Sequence, residues 1–156
     1  MAKQEAKQDD DKAPRFHVTA QYVKDLSFEN PRAPQSLMAR EGKPSIDINI
    51  EINGRKARED LQEVTLHITA KASAEGETLF LVDLSYAGLF TILNIPEERL
   101  EQLLMVDCPF ILFPFARRVI ADATRDGGFP PLMLEPVDFF AMYRRKVEQN
   151  AAETVN

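Results

Sequence analysis

Between residues 45 and 53 the stretch "SIDINIEIN" sets Ile46, Ile48, Ile50 and Ile52 on one side of an extended chain and Asp47, Asn49, Glu51 and Asn53 on the other. That period of two predicts a strand with one face buried. Three further segments carry related patterns. In "FHVTAQYV", Phe16, Val18, Ala20 and Tyr22 alternate with His17, Thr19 and Gln21, and in "EVTLHITAKA", Val64, Leu66, Ile68 and Ala70 line up. In "TLFLVDLSYAG", Phe80, Val82, Leu84 and Tyr86 share one face while Leu79 and Leu81 stand beside Asp83 on the other. This second face is apolar where the other strands are polar, so it is expected either to be covered by another subunit or to bind something. Asn53-Gly54 and the "AEGE" stretch around Gly76 predict the turns between strands, and the strand pattern is expected to end near Gly88.

Between the first two strands lies "SFENPRAPQSLMAREGKP", with Pro31, Pro34 and Pro44. It is too long for a hairpin and predicts a crossover loop. After Gly88 the pattern becomes helical. "NIPEERLEQLLMVD" places Pro96, Glu97 and Glu98 where a first turn favours them, and Cys108-Pro109 is expected to end that helix. "PFILFPFARRVIADATRDGG" predicts a second helix, with its prolines tolerable near the first turn and Gly127-Gly128 closing it. "FPPLMLEPV" predicts an apolar loop whose side chains lack regular spacing. A last helix, "DFFAMYRRKVEQN", is capped by Asp138, with Phe139, Met142, Tyr143 and Val147 as its apolar stripe. Strands followed by helices predict an α+β fold: a four-stranded antiparallel sheet with a long crossover loop and helices packed on one face. The expected boundaries are a disordered N-terminal tail over 1–14, one domain over 15–148 and a flexible C-terminal tail over 149–156.

Composition adds little to the fold and more to the function. A chain of 156 residues suits one domain. A net charge of −6 argues against nucleic acid and favours a basic protein partner. A lone cysteine, Cys108, excludes an intrachain disulfide. The first residues lack the apolar core of a secretory signal, and no run approaches a membrane span, so a soluble, cytoplasmic protein is expected. Catalytic chemistry is poorly supported. His17 and His67 fall on polar sides of strands and read as surface residues, and Cys108 reads as a small buried side chain. No phosphate loop, CxxC or HExxH motif occurs. Asp25, Glu29 and Asp83 read by themselves as solvated acids. No cofactor and no metal are expected.

Three stretches taken together resemble a known family: "KDLSFENP" (24–31), "CPFILFPFAR" (108–117) and "GGFPPLMLEPVDF" (127–139) look like signature segments of SecB, the protein-export chaperone family. The resemblance covers about Phe16 to Val147. It implies a chaperone without ATPase activity, not an enzyme, that holds unfolded precursor proteins export-competent and delivers them to the translocation motor SecA. It also implies a homotetramer, a dimer of dimers with helices between two eight-stranded sheets. "CPFILFPFAR" would then open a helix at the subunit interfaces, and Val82, Leu84, Tyr86, Phe113 and Phe115 fall on positions tied to association. The family's acidic docking surface for the zinc-binding tail of SecA falls on Asp25, Glu29, Leu81 and Asp83; the family more usually carries Glu at position 83. The client groove falls on Ile46, Ile48, Ile50, Leu132, Leu134, Met142, Tyr143 and Val147. A crossover-loop tryptophan common in relatives is absent here, Gly42 or a neighbour standing in its place. Two alternatives remain open at this point: a SecB-like chaperone serving a toxin–antitoxin system, and a small carrier of apolar ligands.

Overall fold

The computed structural model of the chain describes residues 12–155. Most of the N-terminal tail expected over 1–14 lies outside the described residues; within it, the carbonyl of Ala13 accepts a hydrogen bond from Asn94 Nδ2 at 3.0 Å. Four long strands form one antiparallel sheet: β1 (Arg15–Glu29), β2 (Ser45–Arg58), β3 (Leu61–Ala74) and β4 (Glu77–Leu93), in the order β1-β4-β3-β2. The crossover loop, with a short 3-10 turn at Gln35–Leu37, carries the chain from one edge of the sheet to the other. Helices follow: α1 (Glu97–Gln102), α2 (Cys108–Asp126) and α3 (Phe139–Val155). The last helix continues past the predicted end at Asn150.

Register puts directly opposed residues on a common face. Ile48, Ala70 and Val82 form one row across β2, β3 and β4, and Ile50, Ile68 and Leu84 form the next. This face carries α2, whose Leu112, Ala116 and Ile120 are completely buried together with Val64, Leu66, Ile68, Leu84 and Phe90. We call it the helix face and its reverse the open face. Burying one Leu or Ile side chain contributes about 1.5–3 kcal/mol, so this central block is the main source of cohesion in the subunit.

Several predicted boundaries are corrected, each for a local physical reason. β1 is longer than its alternation suggested, because bulges between Val18 and Ala20 and between Val23 and Asp25 reverse the facing of its side chains. Phe16, Val18, Val23, Leu26 and Phe28 therefore sit on the helix face, while Tyr22 and Asp25 sit on the open face. Asn53-Gly54 is not a turn. β2 runs on to Arg58, and Gly54 pairs with Val64 beneath Leu104 and Met105, which cover the position an apolar side chain would have filled. Gly88 likewise lies inside β4 rather than at its end. A Cβ there would stand 2.7 Å from Leu112, so only glycine lets α2 approach this closely. Leu79 falls at the irregularity that lets Thr78 pair with Ser73 and Phe80 with Ala72; it is buried instead of joining Leu81 on the open face.

Cys108-Pro109 does not break the helix. A π-helical turn at Leu103–Asp107 widens the backbone, and the N–H of Cys108 reaches back to the carbonyl of Leu103, so Pro109 enters at the start of α2 without a donor being missed. Pro114 lies deeper in α2 than expected; the bond it omits is to the carbonyl of Phe110, and both residues are exposed. Other expectations hold. The Glu75-Gly76 turn has positive φ at both residues, 54° and 79°, as the tight primed hairpin requires. Asp138 caps α3, its Oδ1 accepting from the N–H of Ala141 at 3.0 Å. The loop after α2 is held by Thr124, whose hydroxyl donates to Ile120 O and accepts from the N–H of Leu132 at 2.9 Å. Phe129 packs on Phe80 with centroids 4.9 Å apart, which fixes the apolar loop against the sheet.

Candidate functional site

The helices cover the middle of their face and leave both flanks open. On the β2 flank, Ile46 and Ile48 remain 41% and 45% exposed, although they continue the same row of isoleucines as half-buried Ile50 and Ile52. Facing them are the loop 129–138 and α3. Between these walls runs a groove of about 500 Å³ lined by Ile46, Ile48, Ile50, Leu132, Leu134 and Met142. Six of the predicted groove residues thus come together. Leu134 is mostly buried and serves as floor.

Tyr143 lines an adjoining cavity of about 350 Å³ with Ile50, Ile52, Met105, Met142 and Lys146. Burial, with Glu101 adding to it, pushes its hydroxyl above the ordinary phenol range. Val147 is exposed on α3 and lines neither cavity. The sequence reading missed Met133, 61% exposed at the groove rim, and Met105, which sits in the π turn. Nothing in the pattern marked the π turn, so nothing marked Met105. Mobile thioethers along an apolar channel let it fit side chains of different shape.

The acidic residues gather on the open face. Glu29 pairs with Leu81, Ser27 with Asp83 and Asp25 with Ser85, so Asp25, Glu29, Leu81 and Asp83 form one compact patch across β1 and β4. Leu81 is 37% exposed. Asp83 has a partner the sequence did not reveal: His67 Nε2 lies 2.7 Å from its Oδ1, and His67 Nδ1 lies 3.8 Å from Glu51 Oε2.

Nearer the other end of this face, Glu63 is buried and receives Tyr22 Oη at 2.6 Å, Lys24 Nζ at 2.9 Å and Arg55 Nη2 at 3.3 Å. Those bonds, the one from Tyr22 foremost, hold the Glu63 carboxyl below the usual carboxylate range. Tyr22, desolvated and bonded to Glu63, is pushed up to about 12. This network ties the bulged part of β1 to β3 across β4.

The predicted association residues are distributed otherwise. Val82, Leu84, Tyr86 and Phe113 are buried inside this chain, and only Phe115 is exposed. Cys108 is wholly buried and its thiol is pushed up to about 12 by desolvation, the state of an inert packing residue. Among the described residues no group of His, Cys, Asp and Glu side chains is arranged to hold a metal ion. No helix of the described residues is long and apolar enough to cross a membrane.

The sequence model of the family described as "Preprotein translocase subunit SecB" matches residues 9–150. The chain belongs to the SecB family. A "Protein-export protein SecB" of Nitrobacter hamburgensis is 52% identical over 140 residues, covering 90% of this chain and 88% of that one. Another of that name from Maricaulis maris is 54% identical over 140 residues, covering 90% and 81%. Among solved structures, a SecB-like chaperone of Mycobacterium tuberculosis in complex with a peptide from an antitoxin superposes with a TM-score of 0.66. It covers 79% of this chain and 91% of that chain at 20% identity, a likeness of fold. The resemblance carried by the three short motifs therefore extends over nearly the whole chain, and the four-stranded α+β architecture is that of a SecB-like chaperone.

Proposed function

We propose that this chain is an export chaperone that holds unfolded precursor proteins in the β2-flank groove without nucleotide and hands them to SecA through the acidic patch of the open face. The observation that carries the reading is the pair of bare isoleucines, Ile46 and Ile48, inside a walled apolar groove whose other side is lined by Leu132, Met133 and Met142. A folded subunit with no use for that groove gains by covering it.

Energetics favour many weak contacts over one tight site. Ordering a ten-residue client segment costs about 10–20 kcal/mol, and at roughly 25 cal/mol per Å² about 400–800 Å² of apolar burial offsets it. One groove gives modest affinity; several grooves engaged by one long client give avidity. Assembly as a dimer of dimers supplies them. β1 and β2 are both edge strands with unpaired backbone groups. The β2 edge borders the groove, so the β1 edge, with Val23 and Leu26 beside it 45% and 43% exposed, is the economical contact for pairing two subunits into an eight-stranded sheet. Exposed Phe110 and Phe115 on α2 suit the second contact, between dimers. Val82, Leu84, Tyr86 and Phe113 act on that contact from beneath, by setting where α2 lies.

Leu81 with Asp25, Glu29 and Asp83 offers an apolar side chain with carboxylates on its β1 and β4 sides and Lys71 on its β3 side, a net acidic fit for the basic zinc-binding tail of SecA. Because the patch and the groove lie on opposite faces, the two activities are separable. Asp25→Lys with Asp83→Lys should abolish capture of the SecA tail while the slowing of refolding of a denatured precursor stays at the wild-type level. Loss of both activities in a folded double variant contradicts the assignment. The reaction compartment in this reading is the cytoplasm, and neither cofactor nor catalysis is involved.

A further inference from the structure

We infer that His67 is a positioning residue of the acidic docking patch: as a neutral ring it holds Asp83 in place for a basic partner, and on protonation it masks the same carboxylate. The inference rests on the docking reading above. His67 is half-exposed on the open face, with 35% of its side chain accessible and 48% of that of Asp83. Its Nε2 lies 2.7 Å from Asp83 Oδ1. A carboxylate only accepts, so the neutral ring carries its hydrogen on Nε2 and donates it, leaving Asp83 Oδ2 and the full negative charge for a partner. Asp83 stands level with Thr69 and Ser27 on the neighbouring strands, and among the described residues its side-chain hydrogen bond is to this ring. The bond therefore selects the carboxylate's direction.

The groups that face His67 are acidic on every strand around it. Glu51 is opposite on β2, its Oε2 3.8 Å from Nδ1; Asp83 lies on β4; Asp25, level with Ser85, is the next carboxylate on β1. Cations on this face stand farther along it: Lys71 opposite Leu81, and Lys24 and Arg55 bound to Glu63. A proton added at Nδ1 thus points toward Glu51 and places a positive charge between Glu51 and Asp83. The bond to Asp83 becomes charge-assisted, and the patch loses one unit of the negative charge that attracts a basic tail. Docking is then strongest when the ring is neutral and weakens when it is protonated.

The test titrates the full-length chain with a fluorescent, zinc-loaded peptide of the SecA tail at low salt, at about pH 6 and about pH 8. The wild type is expected to bind about threefold to tenfold more weakly at the lower pH. His67→Gln retains a donor for Asp83 but cannot gain charge; its affinity at the higher pH should stay within about twofold of wild type, and its pH dependence should flatten. Client holding, on the opposite face, should be unchanged in this variant, and circular dichroism verifies its fold. A pH profile identical in wild type and His67→Gln overturns the inference while leaving the docking reading intact. Absence of binding by the wild type at either pH overturns the docking reading itself, and the inference with it.

Discussion

The two flanks of the helix face are equally apolar and differently shaped. On the β1 flank Val23 and Leu26 are 45% and 43% exposed; on the β2 flank Ile48 and Ile46 are 45% and 41% exposed. The β2 flank is walled by the loop 129–138 and α3, and its backbone pairs with β3 without a shift from Ser45 to Lys56. The β1 flank carries two bulges; since β1 and β2 are the two edges of the sheet, the wall beside β2, rather than the edge itself, tells the flanks apart. A channel with walls receives a flexible chain along its length. An open edge receives a rigid copy of itself, because backbone pairing needs a partner already extended. Exposed apolar area alone therefore does not assign a partner; the relief around it does.

That contrast can be broken in four ways, from the largest effect down. Between the flanks, Leu66 is completely buried. Leu66→Ala should cost about 2–5 kcal/mol in urea unfolding, whereas Ile48→Ala should cost less than about 1.5 kcal/mol, because Ile48 is already half in water. Equal costs would mean that the β2 flank is ordinary core. Second, Val23→Asp with Leu26→Asp should reduce the mass seen by light scattering to that of a smaller species and weaken holding of a long client by up to about a hundredfold, through lost avidity. An unchanged mass removes β1 from the subunit contact. Third, Ile48→Asp with Tyr143→Asp should leave mass and circular dichroism unchanged and weaken a short client peptide about tenfold. Unaltered affinity in that folded variant moves the client elsewhere.

The smallest effect concerns the open face. Glu63 is held below the ordinary carboxylate range, chiefly by Tyr22 and then Lys24, so the folded state favours its charged form. Its stabilisation is fully present above the unfolded pKa of about 4.3 and is lost as pH falls through the lower folded value. Urea midpoints of wild type and Glu63→Gln should therefore differ at neutral pH and converge on acidification. Tyr22, pushed up to about 12, favours its neutral form when folded; its contribution is present below the ordinary phenol range and lost as pH rises from about 10 to 12. A difference that persists unchanged in strong acid would show that Glu63 acts by packing alone.

Much of this was legible in the chain because local rules agreed with the final packing. Ile46 to Ile52, the row Val64 to Ala70, the Glu75-Gly76 turn and the Asp138 cap all formed as their patterns predicted. What failed did so where tertiary packing replaced a local signal. Gly54 and Gly88 read as turn or terminus, yet both lie inside strands under helical segments, and at Gly88 the close approach of Leu112 leaves no room for a side chain. Cys108-Pro109 read as a break, and a π turn absorbed it. The β1 bulges reversed a facing that strict alternation had assigned to Ala20 and Tyr22. For the site, the isoleucine row was plain, but its division into covered and bare halves depends on how far α2 and α3 extend. The four residues proposed for docking came from resemblance, and the register of β1 against β4 brings them onto one face. Their link to His67 spans 16 positions of chain and was visible only in three dimensions.

The most direct measurement places a photo-crosslinking residue at Ile48 on the helix face or at Thr69 on the open face and irradiates each variant with a denatured precursor. Strong crosslinks from position 48, with none above background from position 69, are the predicted result. Crosslinks from position 69 with none from position 48 would contradict the account, because the unfolded chain would then be held on the face assigned to SecA.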